Sequence, residues 1–134
     1  MTKHARILVL AATAVALVAA TMAQAKPLRV AATVSVTAGK PSEFGFKLST
    51  KTVPHGAVTF NVTNGGAIPH NFKLCTAPAK SASANSCAGK GTANISPGGK
   101  ATLKVTIAKA GSYEYLCTVP GHAAGGMKGI LKVT

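Results

Sequence analysis

A chain of 134 residues has room for one domain, and its 15 Lys+Arg against 2 Asp+Glu give a net charge of +13. The basic residues are scattered singly and aromatic residues make up only 4% of the chain, which argues against a nucleic-acid surface built from phosphate contacts and stacked rings. The charge reads instead as solubility plus steering toward an acidic partner or surface.

The first predicted element is a leader. "MTKHAR" carries Lys3 and Arg6, "ILVLAATAVALVAATM" is apolar from Ile7 to Met22, and "AQA" places small residues at Ala23 and Ala25. That order is the pattern of a secretory signal peptide, residues 1–25, cleaved after Ala25. The apolar run is short for a span and rich in alanine. The expected mature domain is Lys26–Thr134, exported to the periplasm or another extracytoplasmic space, with no membrane span after cleavage. Losing Lys3 and Arg6 leaves it a charge of about +11.

Beyond the leader the apolar residues alternate. "LRVAATVSVTA" places Val30, Ala32, Val34 and Val36 on one parity, and "EFGFKLS" does so for Phe44, Phe46 and Leu48. "AVTFNVTN" alternates Val58, Phe60 and Val62; "IPHNFKLC" follows less cleanly with Phe72 and Leu74. "ATLKVTIAKA" alternates Leu103, Val105 and Ile107, "SYEYLCT" alternates Tyr113, Tyr115 and Cys117, and "GILKVT" follows. Period-two patterns rich in β-branched residues predict half-buried strands. Turn signals such as "AGKPS", "TVPHG", "NGGAIP" and "SPGGK" separate them. Strands with one apolar face each need a second sheet to cover that face, so the expected fold is all-β, a β-sandwich of about seven to eight strands.

The segment Cys75–Asn94, "CTAPAKSASANSCAGKGTAN", breaks the rhythm and reads as a long loop. In an exported chain Cys75 and Cys87 are expected to pair as a disulfide, with two free thiols or a second metal site as the alternatives. His55, in "TVPHG", reads as an exposed turn residue.

Cys117 is then the odd cysteine. An unpaired thiol in an oxidising compartment calls for chemistry, either as a nucleophile or as a metal ligand. A nucleophile needs a base oriented by a third group, and the chain contains no Asp. The ligand reading fits better. In "YEYLCTVPGHAAGGMKG" Cys117 ends a strand, the turn through Pro120 and Gly121 brings His122 back, and a second turn returns Met127. Thiolate, imidazole and thioether together suit copper, and a trigonal His2Cys site with a distant Met needs one further histidine. His70, beside the turn in "GGAIPHNF", is the best candidate.

With these residues in view the chain resembles a cupredoxin, a small type 1 (blue) copper protein of the plastocyanin/azurin/auracyanin group. The similarity runs from "SEFGFKLSTKTVPHGAVTFNVTN" through "IPHNF" to "YEYLCTVPGHAAGGMKGILKV". Its specific part is Cys117-x4-His122-x4-Met127 with "PHN" upstream. The resemblance implies a Greek-key sandwich and one type 1 copper. It implies a thiolate bond from Cys117, ring nitrogens of His70 and His122 completing a plane, and Met127 as weak axial ligand. It further implies a hydrogen bond from Asn71 toward Thr118 that ties the two ligand segments together. Tyr113 and Tyr115 are expected in the core beneath the site.

The function so implied is single-electron transfer between redox partners, by a monomer that is not an enzyme. The alternative is a copper carrier or buffer that passes the ion. Docking is expected at the exposed edge of His122, amid Pro120, Ala123 and Ala124, with Lys128 among the lysines that steer an acidic partner. Leu116 stands where plastocyanins often carry an outward aromatic, so that second exit path is not expected here.

Overall fold

The computed structural model describes residues 31–134. The expected signal peptide, the cleavage position and Val30 lie outside them. The described chain forms nine strands. They are β1 (Ala32–Ala38), β2 (Phe46–Leu48), β3 (Thr52–Val53), β4 (Gly56–Asn64), β5 (Lys73–Pro78), β6 (Gly89–Gly91), β7 (Lys100–Ile107), β8 (Gly111–Leu116) and β9 (Lys128–Val133). One sheet has the order β2-β1-β4-β7 and the other β3-β9-β8-β5-β6. β1 runs parallel to β4 and β3 parallel to β9; the remaining pairs are antiparallel. This is the all-β sandwich that the alternation predicts, with the Greek-key arrangement that the resemblance implies, and nine strands in place of seven or eight. The extra pieces are short: β3 has two residues and β6, "GKG", has three exposed ones, so neither leaves a period-two apolar signal.

Alternation sets the core. Val34 and Val36 of β1, Val58, Phe60 and Val62 of β4, and Leu103, Val105 and Ile107 of β7 point inward and are buried. Register places Val36 beside Val62 and Phe60 beside Leu103, so like faces stack across the sheet. From the other sheet come Leu74, Tyr113, Tyr115, Leu131 and Val133, joined by Phe72 just before β5. Phe72 anchors the middle. Its ring lies 5.0 Å from Phe60, 5.3 Å from Phe46 and 5.5 Å from Tyr115, centroid to centroid. Such aromatic contacts add about 0.5–1.5 kcal/mol each beyond area burial.

β8 departs from simple alternation. Tyr113, Glu114, Tyr115 and Leu116 are all buried, so both faces of this strand are covered. The outer cover comes from the segment between β5 and β6. Its Ala84 amide donates to the Glu114 carboxylate at 3.0 and 3.3 Å. The Lys128 ammonium caps it from the other side, donating to the carbonyls of Ser83 and Ala84, each at 3.2 Å, and to Asn85 Oδ1 at 3.0 Å. Lys128 thus ties this segment to the start of β9. Cys75 and Cys87 form a disulfide across the same segment. With Leu116 and Ala123, Cys75 makes a small apolar cluster behind the loop that follows β8.

Phe44 departs from expectation. The alternating pattern places it on a strand with Phe46, but β2 begins at Phe46 and Phe44 lies in the preceding turn, 42% exposed.

Removing the disulfide by the double substitution Cys75→Ser and Cys87→Ser is expected to cost about 3 kcal/mol, because closing a loop of this length restricts the unfolded chain. Chemical denaturation measures the loss.

Candidate metal centre

The site forms where three segments from distant parts of the sequence meet at one end of the sandwich. The first carries His70. Asn64, at the end of β4, is fully buried and organises the turn that follows. Its side-chain amide donates to the carbonyls of Ile68 at 2.8 Å and Ile95 at 2.7 Å, and its Oδ1 accepts from the Gly66 amide at 2.9 Å. His70 then pairs with Ile95 by two backbone hydrogen bonds of 3.2 and 2.7 Å. The ring is thus delivered inward from a fixed backbone.

The second segment is the loop from Cys117 to Met127. Its ends are joined by the Cys117 amide donating to the Met127 carbonyl at 3.0 Å. Inside it the His122 amide donates to the Val119 carbonyl at 3.1 Å, and the Met127 amide to the His122 carbonyl at 2.9 Å. Gly121 and Gly126, which precede His122 and Met127, have φ of +82° and +106°. Residues with a side chain rarely adopt that conformation, so these glycines let the loop turn its side chains inward.

The third segment is the turn between β1 and β2, carrying Glu43 and Phe44. Sequence patterning marked neither as part of a site. The Glu43 carboxylate meets His70 Nε2 at 2.8 Å. It also accepts from the Ala67 amide, at 3.0 Å to each oxygen, and from the Ile68 amide at 3.2 Å. Only its position, with Gly39 and Gly66 in neighbouring turns, hints at this in the sequence.

Together these segments bring His70, Cys117 and His122 to one point, with a ligating atom of each within 4.8 Å of the others. His70 Nδ1 is 3.1 Å from His122 Nδ1, and Cys117 Sγ is 3.5 Å from His122 Nδ1. Met127 is fully buried and packs with Cys117 and Ala38. Two imidazole nitrogens and a thiol sulfur, within reach of a single ion and beside a thioether, form a donor set that fits copper.

Asn71 joins the first two segments. The Thr118 amide donates to Asn71 Oδ1 at 2.8 Å, and Asn71 Nδ2 donates to Thr118 Oγ1 at 2.8 Å. The Asn71 amide points at Cys117 Sγ, 3.4 Å away. The same Nδ2 reaches Asn94 Oδ1 at 2.8 Å.

Burial raises the Cys117 thiol above its ordinary range, partly offset by the amides of Asn71 and Val119. Burial also lowers His122, helped by the nearby His70 and opposed by Glu43. Glu43 is held below the ordinary carboxyl range, first by the Ala67 amide and then by His70.

The outer surface differs from expectation. His122 is only 7% exposed and Ala123 is buried. The Phe44 ring lies 5.0 Å from the His122 ring and covers it. The exposed apolar surface at this end is therefore Phe44 with Ile68, 38% exposed, together with Pro120 and Ala124. His55 is exposed, with Nδ1 3.0 Å from the Thr134 carbonyl.

A pH window follows for the metal-free chain. His122 is lowered from 6.5, so the unfolded chain takes up its proton first as pH falls, and stability is lost below about pH 6.5. Glu43, lowered from 4.5, acts in the same direction at more acid pH. Cys117 is raised from 9.0, so the unfolded thiol ionises first as pH rises, and stability is lost above about pH 9. Calorimetry across pH is expected to show the highest melting temperature between these limits.

Residues 32–134 match the family described as copper binding proteins of the plastocyanin/azurin family. A curated relative, the "Copper-resistant cuproprotein CopI" of Rubrivivax gelatinosus, is 34% identical over 93 residues, 63% of this chain and 56% of the relative. The chain thus spans little more than half the length of that relative. Among solved structures, auracyanin from Roseiflexus castenholzii aligns with a TM-score of 0.58 at 25% identity, covering 78% of this chain and 96% of that one. Rusticyanin from Thiobacillus ferrooxidans aligns at 0.56 and 29% identity, covering 78% and 77%. With its His, Cys, His and Met cluster suited to one copper ion, the chain belongs to the plastocyanin/azurin family of copper-binding proteins, the cupredoxins.

Proposed function

We propose that this chain is an exported electron carrier whose single type 1 copper would be held by His70, Cys117, His122 and Met127. The observation that carries the reading is the convergence of His70, Cys117 and His122, all buried, on a point whose backbone is already hydrogen-bonded in place. Copper, when bound, supplies the one-electron couple. The protein's part is to keep the donors where they are in both oxidation states. Cys117 offers a thiolate once it gives up its proton. His70 offers Nδ1, and His122 offers a nitrogen that burial, by lowering its pKa, keeps neutral near pH 7. Asn71 holds the Cys117 and His70 segments in register, and its amide on the sulfur tempers the donor. A preset, dry site needs little rearrangement when the charge changes.

Partners dock, in this reading, on the apolar surface of Phe44, Ile68, Pro120 and Ala124. Exposed lysines around the domain attract an acidic redox protein, weakly and briefly. The domain acts as a monomer after removal of residues 1–25 and catalyses no reaction of its own.

The second reading is copper handling, favoured by the printed name of the relative from Rubrivivax gelatinosus. Against it stand the enclosed donors and a chain with only 3 Met and 4 His, too few for a metal-gathering tract.

Titration of the domain with Cu(II), followed by ascorbate, is expected to give an intense thiolate-to-copper absorption band at one equivalent that bleaches on reduction. Cys117→Ser is expected to abolish it. Reversible reduction and reoxidation with the ion retained supports electron transfer; prompt loss of Cu(I) to a competing chelator supports handling. Absence of the band in the unaltered domain sinks both the ligand assignment and the carrier role.

Binding must also release the Cys117 proton. Apparent Cu(II) affinity is therefore expected to rise about tenfold per pH unit between neutrality and the thiol range, read by competition with a chelator.

A further inference from the structure

Glu43 is one of only two acidic residues in the chain, and it stands on the far side of the His70 ring from the other donors. Its Oε1 is 2.8 Å from Nε2, while Nδ1 faces His122. A carboxylate only accepts hydrogen bonds. Nε2 must therefore carry a proton, and in the neutral ring Nδ1 is then the nitrogen with the lone pair, on the side that faces the site. The surroundings are shaped to this contact. A Cβ at Gly66 would collide with Glu43 Oε1 and come within 2.8 Å of His70 Nε2. A Cβ at Gly39 would collide with Gly66 Cα and lie 3.3 Å from His70 Nε2. Two positions without side chains thus leave room for the carboxylate to reach the ring. The amides of Ala67 and Ile68 fix the carboxylate from another side.

We propose that Glu43 is a positioning residue of the copper centre: it locks His70 in the Nε2–H tautomer, presents Nδ1 to the ion and strengthens that nitrogen as a donor. The proposal rests on the reading of His70 as a ligand. A carboxylate behind a ligating imidazole raises the ring's basicity and adds negative charge near the site, and both favour the oxidised ion over the reduced one. The transfer itself adds one electron and moves no proton, with Glu43 ionised throughout. A role confined to anchoring the Ala67–Ile68 turn would affect stability and leave the ring and the potential alone.

The test uses the unaltered domain, Glu43→Gln and Glu43→Ala. In the metal-free chain, nitrogen NMR of the histidine side chains is expected to show His70 as the Nε2–H tautomer. That state should be retained in Glu43→Gln, whose amide oxygen still accepts, and partly lost to Nδ1–H in Glu43→Ala. In the copper-loaded proteins, the ratio of Cu(II) to Cu(I) affinity is expected to fall about tenfold in Glu43→Gln, a rise of about 59 mV for a one-electron couple. An unchanged tautomer in Glu43→Ala together with an unchanged potential in Glu43→Gln overturns the proposal and leaves Glu43 a turn anchor. If Glu43→Ala does not fold, an Nδ1–H tautomer in the unaltered chain or an unshifted potential in Glu43→Gln overturns it. If the unaltered domain binds no copper, the ligand reading fails, and the metal-free tautomers still judge what Glu43 does to the ring.

Discussion

The pair of hydrogen bonds between Asn71 and Thr118 is where the two halves of the site meet, across 47 positions of sequence. The β5–β8 ladder ends at Lys73 and Leu116, just below, and this pair extends the tie to the segments that present His70 and Cys117. In the same register the Asn71 amide falls on the Cys117 sulfur. The strands below serve that join. Phe72, one residue beyond Asn71, is locked among Phe46, Phe60 and Tyr115 in the core between the sheets. Tyr115 lies two residues before Cys117 on β8, so the stack of Phe72 on Tyr115 sets the spacing of the ligand segments from beneath.

Charge is distributed with the same economy. Two carboxylates serve the whole chain, and neither is left free in solvent. Glu114 is buried and accepts the Ala84 amide; Glu43 binds the Ala67 and Ile68 amides and the His70 ring. Lys128 does the matching work from the cationic side by capping two loop carbonyls and an asparagine. What remains exposed is almost uniformly basic, which gives a long-range field without acidic sites of its own. Around His122 the surface changes character. The Phe44 ring packs beside the His122 ring and is itself exposed.

The sandwich was legible because alternation is a local property. Val58, Phe60 and Val62 declare a strand and its buried face without reference to the rest of the chain, and the same holds for Leu103, Val105 and Ile107. The grouping of Cys117, His122 and Met127 was legible because one short loop carries all three. β6 was not legible: Gly-Lys-Gly has no apolar face, and it becomes a strand only because β5 offers an open edge. Phe44 was misplaced for the opposite reason. It keeps the parity of Phe46, but the chain turns before β2 and directs that ring onto His122.

By itself, then, the sequence determined the sheet-forming segments, the inward faces and the grouping of Cys117, His122 and Met127, since each depends on neighbours a few positions apart, whereas His70 reaches them only through the fold. Tertiary structure alone decided that Glu43 lies behind His70, that Asn64 builds the turn before it, and that Lys128 is spent on a loop. Each of these is a hydrogen-bonding arrangement in which at least one partner is many residues away. A polar side chain leaves no periodic trace of which distant amide, carbonyl or ring it will meet, and folding the sheets together is what supplies the partner.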